Sequence, residues 1–245
     1  LLSPFHYVHN TNIPPGHQRN PVAEWFDLDM KLLKESIDLR NTNNPGKELY
    51  AGICISAQVL NDIESKQSFL NQYVAYDCDG YYILADGLEK TTPTATLFNY
   101  IDTIRKLQHY SGRPVIAGRI NVGLGLVLIS LGLSAFSMGV SRFESFSEDM
   151  YKETQEPYNL YERYFFPQLL TTVSVERKNP TKLSAINDVI GNCQCQACHG
   201  KAVFEVIKNH NAKLHFLLLL NNEINHIRSI SSLRERLDYM LERIQ

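Results

Sequence analysis

The chain has 245 residues, enough for one large domain or two small ones. Its hydrophobic share of 44% is that of an ordinary globular protein, and a net charge of −2 excludes a basic nucleic-acid footprint spread over the whole surface, so such binding would need a local patch. Five cysteines are too few for a disulfide scaffold and no signal-peptide pattern opens the chain, so a reducing, cytoplasmic setting is expected.

Residues 1–21 are rich in proline, asparagine and histidine and read as a loop. His6, His9 and His17 crowd this stretch without metal-ligand spacing. From Glu24 to Leu39 apolar residues recur at helical spacing (Trp25, Phe26, Leu28, Met30, Leu32, Leu33, Ile37), and Asn43-Asn44-Pro45-Gly46 stops the helix. Leu49 to Ile55 is short, apolar and bounded by turn signals, which predicts a buried strand, and a polar helix follows through Tyr73. Asp79-Gly80 introduces a second strand, Tyr81 to Ala85, ending at Asp86. Thr94 to Tyr110 reads as a helix, Val115 to Ala117 as a third strand, Gly123 to Leu133 as a helix and Ala135 to Met138 as a fourth strand.

Strands and helices alternate at βαβ spacing, and the strands are continuously apolar, so a parallel sheet covered by helices is expected. A barrel and a doubly wound sheet both satisfy that pattern. The apolar run Val122 to Val140 is broken by glycines and by Ser130, Ser134 and Ser137, and no Lys or Arg clusters flank it, so it reads as core rather than as a membrane span. After Val140 the alternation stops. Ser147 to Lys178 is polar and aromatic, and Val203 to Gln245 is helical with a broad apolar face. The organisation expected is an N-terminal loop over 1–21, an α/β portion over 22–145 and a helical C-terminal region over 146–245.

Parallel α/β sheets place ligands beyond the carboxyl ends of their strands, which singles out Asp86, Arg119 and Ser137. Asp86 suits hydrogen bonding to a purine edge or acid–base work, and equally a turn before Gly87. Arg119 precedes Gly123 and Gly125, glycines opening a helix, a pattern that presents N–H groups and a guanidinium to a phosphate but more often packs a tight turn. Ser141-Arg142 reads as a solvated loop. The aromatics from Tyr158 to Phe166 suit core packing or an interface better than base stacking. Cys54 and Cys78 read as small buried hydrophobes.

The most specific motif is Cys193-Gln194-Cys195-Gln196-Ala197-Cys198, followed by His199, His210 and His215. C-x-C-x-x-C puts three thiolates on one loop, and a histidine from the next helix completes a Cys₃His set, the closed kind that holds structural Zn²⁺. A disulfide plus a free thiol, or a C-x-x-C redox pair, fits the spacing less well.

These residues resemble the tRNA-guanine transglycosylase superfamily, whose zinc loop is C-x-C-x-x-C followed by a histidine at the start of a long C-terminal helix. The stretch Glu223 to Ile230 is similar to that terminal helix, which makes His215 the best-placed fourth ligand and His210 the second. Upstream, Leu49-Tyr50-Ala51-Gly52-Ile53, Asp79-Gly80-Tyr81-Tyr82-Ile83, Arg113 to Gly118 and Gly132 to Phe136 resemble successive family strands. The resemblance implies a partial or reduced (β/α)₈ TIM-barrel-like fold with a C-terminal zinc-binding helical subdomain. It implies exchange of guanine for a 7-deazaguanine base in nucleic acid, tRNA or DNA, by a protein that works as a homo- or heterodimer, away from membranes. Relatives include a noncatalytic barrel subunit, so a zinc-stabilised barrel that binds a partner protein or nucleic acid is the alternative.

The sequence departs from the family at Ser137, which stands where the nucleophilic aspartate is expected, at Ile55 for a base-binding glutamine, and at Leu84-Ala85 for a glycine pair. Asp86 is then the one well-placed acid. A family-length barrel needs strands upstream of Leu1, so the resemblance implies a truncated chain, a split gene or a reduced barrel.

Overall fold

The structure, a computed structural model, describes residues 1–7, 21–86, 88, 92–139, 161–176, 188, 193–208 and 211–244. They form two compact units, one from the described residues of Leu1–Ile120 with Leu133–Ser137, the other from Asn121–Gly132, Met138, Gly139 and the described residues beyond Lys152.

The first unit is a mixed α/β assembly around a parallel four-stranded sheet in the order β1-β2-β3-β4: β1 (Tyr50–Ile55), β2 (Gly80–Ala85), β3 (Val115–Gly118) and β4 (Ala135–Phe136). The register sets Ala51 beside Tyr81 and Tyr81 beside Val115. Side chains alternate along strands, so Ala51, Ile53, Ile55, Tyr81, Ile83, Ala85, Val115 and Ala117 share one face, and all are buried. The other face carries Cys54, Tyr82 and Leu84, with Phe5 and Tyr7 packed against them. Gly52 is required there, because a Cβ would collide with the Phe5 ring. The parallel pairing and near-continuous burial are those expected of apolar runs covered on both faces.

The N-terminal stretch, expected as loop, adds to the sheet: Leu2 bridges Tyr50 in parallel, and the Ser3 Oγ accepts the Gly52 N–H at 2.9 Å. His6 ties this stretch to helix α1 (Pro21–Asn43), donating its backbone N–H to the Asp29 carboxylate at 3.0 Å and placing Nδ1 2.6 Å from it. Asp79, of the Asp-Gly-Tyr motif, is an anchor: its carboxylate accepts the Leu49 N–H at 2.8 Å and pairs with Arg40.

The polar helix expected through Tyr73 is two helices, α2 (Ala57–Asn61) and α3 (Ile63–Val74). Asp62 lies in extended backbone between them, closing α2 with its N–H and accepting the Glu64 N–H with its side chain at 3.2 Å. Helix α4 (Thr94–Ser111) ends at Gly112, whose φ of 66° is the left-handed cap that glycine adopts without a Cβ penalty.

In the second unit, α5 (Val122–Ser130) is nearly all apolar because it is buried, and its N-terminus is capped by Asn121, whose side chain accepts the Leu124 N–H at 2.9 Å. An antiparallel hairpin of β5 (Tyr161–Phe166) and β6 (Thr171–Glu176) turns through a 3₁₀ segment, Pro167–Leu169. From Val203 on, the described residues form three helices, as the helical reading of the tail expects: α6 (Val203–Lys208), α7 (Ala212–Ser229) and α8 (Leu233–Ile244). Helix α5 packs on α7 and α8, and Phe165 of the hairpin meets Phe216 of α7 edge-on at 5.5 Å. Among the described residues no helix is long and apolar enough to cross a membrane.

Candidate metal centre

The loop from Cys193 to Lys201 winds back on itself through backbone bonds. The Cys198 and His199 N–H groups both reach the Cys195 carbonyl, at 3.0 and 2.9 Å, and the Gly200 N–H reaches the Cys193 carbonyl at 3.0 Å. His199 and Gly200 take left-handed φ of 51° and 73°, turning the chain toward α6. This winding aims three sulfurs at one point, and α7 brings His215 to the same point from its first turn.

The three Sγ atoms and a His215 ring nitrogen all lie within 4.8 Å of one another. His215 Nδ1 is 3.1 Å from Cys198 Sγ and 3.4 Å from Cys195 Sγ. Bonds of about 2.3 Å to sulfur and 2.0 Å to nitrogen in a tetrahedron separate the two ligand types by about 3.5 Å, close to these spacings. The four groups could therefore hold a metal ion, and three sulfurs with one imidazole are compatible with zinc.

The surroundings suit the same task. His215 is 1% exposed, and its Nε2–H donates to the Phe165 carbonyl at 2.8 Å. That bond fixes the tautomer with the lone pair on Nδ1, facing the sulfurs. Burial holds His215 below the usual histidine range, against the pull of the Phe165 carbonyl, which favours the neutral form that ligation requires. Burial pushes the Cys198 thiol up to about 12 and also raises Cys193. Burial raises Cys195 as well, but the Ala197 and Cys198 N–H groups aimed at its sulfur outweigh it and leave the thiol below its usual value. Without a cation this pocket does not favour three thiolates together; a divalent ion would reverse that. A cleft of about 210 Å³ opens beside the cage, lined by Gln168, Cys193, Gln194 and Leu219 among others.

The structure brings together Cys193, Cys195, Cys198 and His215 as the spacing and the resemblance led one to expect; His210 lies outside the described residues. His199 is exposed and lies outside the cluster. Tyr164, Phe165 and Phe166 are core residues, whereas Tyr158, Ser141 and Arg142 lie outside the described residues. Cys54 and Cys78 are buried and form no disulfide.

The strand-end residues occupy a second locale, in the first unit. Asp86 follows β2, and its Oδ2 accepts the Tyr7 hydroxyl at 2.7 Å. Ser137 Oγ lies 2.8 Å from the Tyr82 hydroxyl and accepts the Arg119 N–H at 3.1 Å. That bond accompanies a left-handed Arg119, φ 46°, a conformation costing a non-glycine residue about 1 kcal/mol or more. Gly123 and Gly125 are in the first turn of α5, where a side chain at Gly123 would meet only ordinary contacts, so packing does not demand glycine there. Tyr7 as partner of Asp86, and Tyr164 and Phe165 as partners of the cage, carry no sequence signal beyond being aromatic. Compared with family models, with curated proteins and with solved structures, the chain matches none.

Proposed function

We propose that the chain is a transglycosylase-type protein, alone or as part of the active enzyme, that exchanges guanine for a 7-deazaguanine base in tRNA or DNA on a scaffold braced by structural zinc. The observation that supports this reading is the Cys₃His cage, closed by a loop and a following helix in the order the resemblance implies. The parallel sheet suits a portion of a (β/α)₈ barrel, in which ligands meet the carboxyl ends of the strands, where Asp86, Arg119 and Ser137 lie. Zinc bound by four protein ligands would contribute folding free energy rather than reactivity.

In this reading Asp86 attacks the anomeric carbon, forming a C–O bond as the glycosidic C–N bond breaks and guanine leaves; the incoming base then displaces the carboxylate. Tyr7 holds that carboxylate by its hydroxyl. Arg119 is the candidate for a phosphate contact.

A second reading, a noncatalytic zinc-braced subunit binding a partner protein or nucleic acid, is favoured by Ser137. Its hydroxyl is engaged by Tyr82 and the Arg119 N–H, and no base activates it among these contacts. Incorporation of labelled 7-deazaguanine into tRNA and DNA separates the two. The first reading expects exchange that falls at least about 100-fold in Asp86→Ala. Absence of exchange on both nucleic acids, even with the upstream barrel residues restored, contradicts it, and exchange unchanged in Asp86→Ala removes Asp86 from the chemistry.

A further inference from the structure

The metal cage has a wall that its four ligands do not account for. Tyr164, on β5, is 2% exposed, and its hydroxyl lies 3.6 Å from Cys198 Sγ, which is itself fully buried. Its ring lies over the His215 imidazole, centroids 4.1 Å apart and planes 17° from parallel. Phe166 braces that ring from 5.0 Å, and Val203, Val206, Ile207 and Ala212 enclose the cluster. The next residue, Phe165, takes the His215 Nε2–H on its carbonyl. Two adjacent residues of one strand thus address the same imidazole, one by stacking and one by hydrogen bonding, and the first of them also reaches a sulfur.

A metal-bound cysteine is a thiolate and has no proton to give, so in the loaded cage the hydrogen bond runs from the Tyr164 hydroxyl to Cys198 Sγ. Such a bond draws charge from the sulfur and compensates a buried anion, and a buried phenol needs a partner of this kind.

We propose that Tyr164 is an outer-shell positioning residue of the metal centre, its hydroxyl donating to the Cys198 thiolate and its ring holding His215 with Nδ1 toward the sulfurs. The β5–β6 hairpin is then part of the metal site rather than neighbouring core. Outer-shell partners of this type tune retention by about 10–100-fold.

The proposal rests on the metal reading, and the two fail separately. Metal content of the full chain comes first: a wild type without metal removes the site itself. With metal present, zinc transfer to a chromogenic chelator and the thiolate-to-metal charge-transfer band of the cobalt-substituted protein are compared in wild type, Tyr164→Phe and Tyr164→Leu. Tyr164→Phe keeps the ring and its packing, so a purely structural tyrosine leaves both readouts at wild-type values, which overturns the proposal. The expected result is release about 10-fold faster in Tyr164→Phe, a charge-transfer band moved to lower energy, and still faster release in Tyr164→Leu. Fluorotyrosine placed at position 164 alone tests the same bond without deleting it. The more acidic phenol should slow release and move the band to higher energy, and unchanged values contradict the assignment.

Discussion

His215 meets the cysteines through Nδ1 because Nε2 is already committed to the Phe165 carbonyl, and that single hydrogen bond decides which nitrogen is free to ligate. Spacing alone identified the cysteines; a C-x-C-x-x-C run keeps its ligands local, and only the histidine had to be chosen among candidates. Tyr164 was not legible as a partner of the cage, since an aromatic in an aromatic run reads as core, which it also is. Charge placement in the first unit gives a separate prediction. Lys66 is 8% exposed and lies 3.3 Å from both Asn99 and Asp102, while Lys106 approaches Asp102 at 2.9 Å. Burial pushes the Asp102 carboxyl up, but hydrogen bonds from Lys106 and Lys66 outweigh it and leave the group below its usual 3.8. A depressed carboxylate stabilises the fold above its unfolded pKa, and that contribution is lost as pH falls through the folded value. Asp102→Asn should cost about 1 kcal/mol at pH 7, discounted because Asp102 is half open to solvent, and the difference from wild type should shrink as pH falls below the usual carboxylate value and through the lower folded one. Urea melts at neutral and acid pH check this; a difference that grows on acidification contradicts the pairing.

The strands β1 to β3 were readable because each is a short apolar run between turn signals, and a sheet buried on both faces demands that pattern. The α2–α3 break was harder. The polar run reads as one helix unless Asp62 is taken as a cap, and its extended backbone is what separates the two. Asp62→Ala should therefore destabilise the protein by about 1 kcal/mol, measured as a lower urea midpoint with unchanged slope; an unchanged midpoint would mean that the cap contributes nothing. The β5–β6 hairpin was missed for a physical reason. Tyr-Glu-Arg-Tyr-Phe-Phe does not alternate cleanly, and its turn uses a left-handed Leu170, φ 46°, where a glycine or asparagine would have signalled a reversal. The helical tail was legible from its apolar face, but its division was not: Ile230 takes extended backbone and ends α7 although the apolar positions run on.

At the scale of the molecule, composition excluded much and specified little. It left a mixed α/β protein with one chemically specific locale, and the parallel sheet and the Cys₃His cluster are both present. The barrel and the base exchange rest on resemblance, and the strand-end residues Asp86, Arg119 and Ser137 are where that reading can be tested. The metal centre stands independently of it, because its geometry is set by the second unit alone. If metal binding is folding free energy here, losing one ligand should cost on the order of 4 kcal/mol or more. The most direct measurement is the zinc content of the purified full chain, taken together with the thermal stability of wild type and Cys195→Ser. The account predicts about one zinc per chain in wild type, its loss in Cys195→Ser, and a large drop in melting temperature with it. A folded wild type without metal, or a mutant that keeps full stability, would contradict it.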